Sequence, residues 1–83
     1  MTLLYFAWVR QKIGKSEDVV ALPPGVCDVK GLVAHLQSLG DNYRQGLNES
    51  NRLRVAVNQR HGDFETALTE NDEVAFFPPI TGG

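Results

Sequence analysis

The chain has 83 residues, of which 42% are hydrophobic and 22% charged, and eight Lys and Arg against ten Asp and Glu give a formal net charge of -2. A chain of this size buries only roughly 60% of its unfolded surface. That leaves a thin core and no room for a deep catalytic cleft with its own walls, so any chemistry is expected at the surface or in a partner. The balance of apolar and charged residues is that of a globular domain, and no apolar run approaches the ~20 residues that a membrane helix needs.

The pI near 5.5 and scattered basic residues argue against nucleic-acid binding. Arg52, Arg54 and Arg60, the nearest approach to a basic cluster, are interrupted by Leu53, Val55 and Val57, which reads as the solvated face of a strand. Cys27 is the only cysteine, so neither an intrachain disulfide nor a cysteine zinc site is expected. It reads as filler ahead of a helix cap. His35 and His61 have no second ligand at metal spacing, and no metal is expected. Met1 to Arg10 lacks the basic leader and cleavage site of a signal peptide. With the single cysteine, this points to the cytoplasm.

Thr2 to Val9 is rich in aromatic and branched residues and predicts a strand that is apolar on both faces, Leu4-Phe6-Trp8 on one and Leu3-Tyr5-Ala7-Val9 on the other. Asp18 to Leu22 predicts a shorter strand ended by Pro23-Pro24-Gly25, and a hairpin joins the two. Asp28 offers an N-cap carboxylate to a helix with apolar residues at Val29, Leu32, Val33, Leu36 and Leu39, stopped by Gly40.

Asp41 to Asn51 reads as a polar turn pinned by Tyr43 and Leu47. Arg54 to Asn58 predicts a third strand, Gln59 to Asp63 a turn containing His61, and Thr69 to Asp72 another turn. Glu73-Val74-Ala75-Phe76-Phe77 predicts a last strand, again apolar on both faces and ended by Pro78-Pro79. One helix covers one face of such a sheet. The apolar surface left on the other face points to a partner.

The chemistry lies in the tail, Pro78-Pro79-Ile80-Thr81-Gly82-Gly83. Two prolines hold the backbone extended, and glycines without Cβ let a wall approach closely. A thin, stiff end with its reactive carboxylate last is suited to threading into another protein's active site. The carboxylate needs activation, for example as an acyl-adenylate. The chain has no phosphate-cradling glycine loop with its lysine, so ATP would act in trans. No Ser-His-Asp or paired-carboxylate constellation is readable, and the chain on its own is not expected to be an enzyme.

Asp72-Glu73-Val74-Ala75-Phe76-Phe77-Pro78-Pro79-Ile80-Thr81-Gly82-Gly83 resembles the end of the small, sulfur-carrying subunit of molybdopterin synthase, the MoaD-like proteins. Leu4 to Arg10, Val29 to Leu36 and Val55 to Gln59 carry the resemblance along nearly the whole chain, with departures mainly between Gly40 and Leu53. The resemblance implies an α+β, ubiquitin-like β-grasp fold, with a mixed four- to five-stranded sheet and one main helix on one face. The domain would span 1–77 and the tail 78–83.

By the same resemblance, a MoeB-like enzyme adenylates Gly83 with ATP and a persulfide sulfur donor converts it to a thiocarboxylate. Sulfur then passes to cyclic pyranopterin monophosphate inside a large, MoaE-like subunit, building the molybdopterin dithiolene. Two small and two large subunits would assemble. Gly83 would be the carrier and Gly82 its slender neighbour. Phe76, Phe77, Pro78, Pro79, Ile80 and Thr81 would meet the partner. Arg10, from the residues alone and not from the resemblance, is a further candidate to contact a partner acid. No bound cofactor is implied. Sister readings keep the fold but serve thiamine, cysteine or transfer-RNA thiolation, or make the chain a ubiquitin-like modifier. A binding module with an incidental tail is the plainest alternative.

Overall fold

In the computed structural model, which describes residues 1–48 and 53–79, the chain runs β1 (Thr2–Tyr5), α1 (Ala7–Ile13), β2 (Glu17–Val19), α2 (Val29–Gln37), α3 (Asp41–Gly46), β3 (Arg54–Val57), β4 (Arg60–Gly62) and β5 (Glu73–Phe77). The strands form one mixed sheet in the order β2-β1-β5-β3-β4. The C-terminal strand β5 is central, parallel to β1 and antiparallel to β3. The helices pack on one side, so the α+β class and mixed sheet expected from the sequence are present.

Strand alternation sorts the side chains. Leu3, Tyr5, Val55, Val57, Val74 and Phe76 point to the helical side and are buried with Val29, Leu32, Val33 and Leu36 of α2. These α2 positions repeat at helical spacing, so one stripe meets the sheet. Asp28 caps α2 as expected, accepting from the Gly31 N–H at 2.8 Å. The helix ends at Gln37, with Ser38 as its C-cap. Gly40 instead stands at the N-cap of α3, and Leu39 is exposed.

The strand expected over Thr2 to Val9 stops at Tyr5, and Ala7–Ile13 is helical. Val9 and Ile13, four residues apart, are buried, so they follow a helical phase that the apolar run concealed. Gly14 ends α1 at φ 93, donating its N–H to Arg10 O at 2.8 Å. A left-handed residue closes a helix in this way, and glycine adopts it without a Cβ clash. β1 and β2 pair antiparallel as expected, but β2 covers Glu17–Val19 where Asp18 to Leu22 was expected, and α1 lies between the two strands in place of a tight hairpin.

Asp41 to Gly46 is helix α3, where a turn was expected. Tyr43 and Leu47 are nevertheless buried as the sequence suggested. Two amides tie this segment down: Asn42 Nδ2 donates to Ile13 O at 2.8 Å, and Gln37 Nε2 donates to Leu47 O at 3.0 Å. The expected turn over Gln59 to Asp63 is tighter and earlier. Asn58 and Gln59 both have positive φ, 52 and 67, and join paired Val57 and Arg60. Two such residues suit the right-handed twist of a hairpin. Arg60–Gly62 is therefore strand β4.

Candidate functional site: the base of the C-terminal tail

β1 and β5 run parallel with Tyr5 opposite Phe76, so both strands finish at the same edge of the domain. There the Phe6 N–H donates to Phe76 O at 3.1 Å, locking the start of α1 to the strand that leads into the tail. Tyr5 and Phe76 stack below this point, with ring centroids 6.2 Å apart. The tail thus leaves from the middle of the sheet, anchored on both sides by hydrogen-bonded strands. Such a base fixes the direction in which the chain departs.

The two phenylalanines before the prolines have opposite roles. Phe76 is fully buried in the core against Tyr5, which corrects the expectation that it meets a partner: its side chain faces the helical side of the sheet, and only its neighbour faces outward. Phe77 is half-buried on the outer side of the sheet, where its ring meets His61 edge-on at 6.0 Å. Pro78 and Pro79 are also half-buried. The remaining tail positions named from the sequence, Ile80, Thr81, Gly82 and Gly83, lie outside the described residues.

The outer side of the sheet is built by register. Leu4, Ala75, Ala56 and His61 fall in one row across β1, β5, β3 and β4, and Phe77 pairs with Arg54 in the next. Leu4, Ala56, Ala75 and Phe77 are each half-buried, while Arg54 and His61 at the rim are exposed. Phe6 adds an exposed ring at the edge where β1 ends. An apolar strip with a polar rim, Glu17 at the β2 end and Arg54 and His61 at the other, therefore continues from the base of the tail. The two-faced apolar pattern of β5 pointed to this strip; strand order and the small residues at Ala56 and Ala75 complete it. His61 was expected in a turn with a structural role, and only the β3–β4 pairing places it here.

Arg10 lies on α1, one turn after Phe6, and is exposed. It has no ion-pair partner among the described residues. With Gln11, Gly14, Lys15 and Ser16 it lines a shallow depression of about 350 Å³. Cys27 is exposed rather than packed as filler. Among the described residues, no group of three or more His, Cys, Asp or Glu is placed to hold a metal ion. No helix among them is long and apolar enough to cross a membrane.

The strongest polar cluster supports the scaffold. Asp18 Oδ2 accepts from the hydroxyls of Tyr5 at 2.9 Å and Tyr43 at 2.8 Å, and Oδ1 pairs with Lys15 Nζ at 3.0 Å. Burial works against the charge of Asp18, but the hydrogen bonds from Tyr43, Lys15 and Tyr5 prevail and hold its carboxyl below the usual carboxylate range. Burial, then the bond to Asp18, pushes the Tyr5 hydroxyl well above the ordinary tyrosine range. At the opposite end, Asp72 accepts from Asn58 Nδ2 at 2.9 Å and the Thr69 N–H at 2.7 Å. These bonds lower its carboxyl and fix the turn that feeds β5.

Comparison with known proteins matches residues 3–83 to the ThiS family. The molybdopterin synthase sulfur carrier subunits of Haemophilus influenzae and Escherichia coli are 37% and 40% identical to the chain. The first alignment covers 100% of this chain and 99% of the relative, the second 98% and 96%. A Pyrococcus furiosus structure assigned to molybdopterin converting factor subunit 1 superposes with a TM-score of 0.75 at 26% identity, covering 95% of each chain. A chain from the Helicobacter pylori complex of molybdopterin-converting factor subunits 1 and 2 shares the fold, with a TM-score of 0.62, 24% identity and coverage of 99% and 96%. The chain is a member of the ThiS family.

Proposed function

We propose that the chain is the sulfur carrier subunit of a molybdopterin synthase, non-catalytic alone and working in the cytoplasm with a large partner subunit. The observation that carries this reading is full-length similarity to relatives named as that subunit, together with a tail in which Phe77-Pro78-Pro79 leads to Gly82-Gly83. The central position of β5 supports it, because a strand hydrogen-bonded on both sides aims its extension rigidly.

In the proposed cycle the Gly83 carboxylate attacks the α-phosphate of ATP in a MoeB-like activating enzyme, expelling pyrophosphate. A persulfide donor then attacks the adenylate with loss of AMP, giving an acyl disulfide. A further thiol cleaves its S–S bond, leaving the thiocarboxylate on Gly83 and a disulfide between that thiol and the donor's sulfur. The tail enters the large, MoaE-like subunit, where its sulfur bonds to a carbon of cyclic pyranopterin monophosphate and water hydrolyses the resulting thioester, restoring the Gly83 carboxylate. Two charged tails supply the two sulfurs of the dithiolene. A thiocarboxylate is a stronger nucleophile than a carboxylate, and tethering raises its effective concentration at the acceptor. Gly82 supplies slenderness, while Ile80, Thr81, Pro78 and Pro79 line the entry, and Arg10 meets an acidic group beside it. Phe77 and the apolar strip dock the body of the domain. Two small and two large subunits make the working assembly.

The test is intact mass spectrometry after incubation with the activating enzyme, ATP, a persulfide donor and a thiol reductant. The expected product has one carboxylate oxygen of Gly83 replaced by sulfur and yields molybdopterin when mixed with the large subunit and cyclic pyranopterin monophosphate. A charged carrier that gives no molybdopterin would refute this assignment.

A further inference from the structure

Strands two apart in a sheet are separated by about 10 Å, yet the rings of His61 on β4 and Phe77 on β5 meet at 6.0 Å with their planes 66° apart. They lean together across β3, over Ala56, which pairs with His61 and whose methyl leaves the space. An ionisable ring is thus packed against the aromatic residue that immediately precedes the tail.

The charged groups around it are few. Arg54 from β3 shares the row of Phe77, toward which the imidazole leans. Glu73 of β5 lies two residues beyond Ala75 on the opposite side, away from that lean. Asp63, after β4, has its carboxylate engaged by the Glu65 N–H at 2.8 Å and the Thr66 hydroxyl at 3.3 Å. Arg60 precedes His61 on β4 and alternates to the other face of the sheet. Continuing the β3–β4 register by one step sets Asp63 opposite Arg54, so the row toward which the imidazole leans holds one charge of each sign, while Leu4, Ala75 and Ala56 in the row of His61 carry none.

We propose that His61 makes docking of this face proton-sensitive: the large synthase subunit binds the carrier with a neutral imidazole and is released by protonation. The inference rests on the docking reading above. The occupant must be apolar where it meets Leu4, Ala56, Ala75 and Phe77, because the strip is apolar and continuous with the tail base. Burying an imidazolium against this apolar strip costs free energy that burying a neutral ring does not. Histidine is also the side chain whose charge changes within the physiological range.

The experiment is calorimetric titration of the full chain into the cognate large subunit between about pH 5.5 and 8, the range in which histidine changes charge, for wild type, His61→Gln, His61→Leu and His35→Gln. Circular dichroism at each pH confirms that each variant is folded. A tenfold preference of the docked state for neutral imidazole predicts that wild-type affinity falls about tenfold on acidification. Both His61 variants should lose this component, and His35→Gln, altered on α2 at the other layer, should keep it. Identical pH profiles for wild type and His61→Gln overturn the proposal, as does tighter wild-type binding at low pH. Wild type that binds at every pH with a flat profile removes the proton gate alone. Failure of wild type to bind at any pH removes the docking reading and the gate with it.

Discussion

Tyr43 reaches from α3 to donate its hydroxyl to Asp18 at 2.8 Å, onto the same oxygen that Tyr5 of β1 approaches at 2.9 Å. One carboxylate thus joins the sheet edge to the helical layer. Replacing Asp18 with Ala leaves two partly buried hydroxyls without this acceptor and should cost about 1–3 kcal/mol, measured by urea unfolding. Asp18→Asn keeps one acceptor oxygen and should cost less. The folded-state carboxyl titrates below its unfolded value, so its stabilisation is present above the unfolded range and is lost as pH falls through the lowered folded range. The wild-type advantage over Asp18→Asn should therefore be full at neutral pH and shrink in strong acid.

Gly46 closes the contact between α1 and α3. A Cβ at this position would lie 2.6 Å from Ile13 Cγ1 and 3.4 Å from Lys12 Cβ. Gly to Ala inside a helix ordinarily stabilises by roughly 0.5–1 kcal/mol, but overpacking a core position costs about 1–3 kcal/mol. The clash should win. Gly46→Ala is expected to lower the urea midpoint with little change in slope, by about 1 kcal/mol net.

Much of the layout was legible because its signals are local. The α2 stripe, the Asp28 cap and the turn before β5 each follow from residues within a few positions of one another. Helix α1 was concealed because Ala7-Trp8-Val9 continues the apolar run of β1, and a helix of two turns draws its stability from packing rather than propensity. Strand order and register were not legible at all. When both faces of a strand are apolar, period-2 alternation carries no phase. The sequence therefore could not say which of Phe76 and Phe77 faces the core, and it could not bring His61 to the base of the tail. Both answers come from the register of β5 between β1 and β3 and from the helices lying on one side of the sheet.

Ala7 begins α1 at φ 53 without being glycine, immediately after the residue that bonds to Phe76. A left-handed non-glycine residue costs about 1–2 kcal/mol, partly offset by the backbone entropy that glycine would lose on folding. Ala7→Gly should raise stability by about 0.5 kcal/mol, and Gly14→Ala, at φ 93, should lower it by about 1 kcal/mol. Thermal unfolding of the two variants checks the signs. A destabilised Ala7→Gly would show that this turn is better satisfied by alanine than its dihedral indicates.

Phe76 and Phe77 offer the sharpest separation of scaffold from docking. Phe76 is wholly buried and stacks on Tyr5, so Phe76→Ala removes core volume and should cost about 3–5 kcal/mol, enough to threaten folding of so small a domain. Phe77 is half-buried on the outer side and touches His61. Phe77→Ala should cost about 1 kcal/mol or less in unfolding, as expected away from the core, yet weaken binding to the large subunit by about tenfold or more, as loss of an aromatic anchor does. Measuring both quantities on both variants decides the matter. If Phe77→Ala binds as tightly as wild type, the outer strip is not the docking face, and the tail alone must supply recognition.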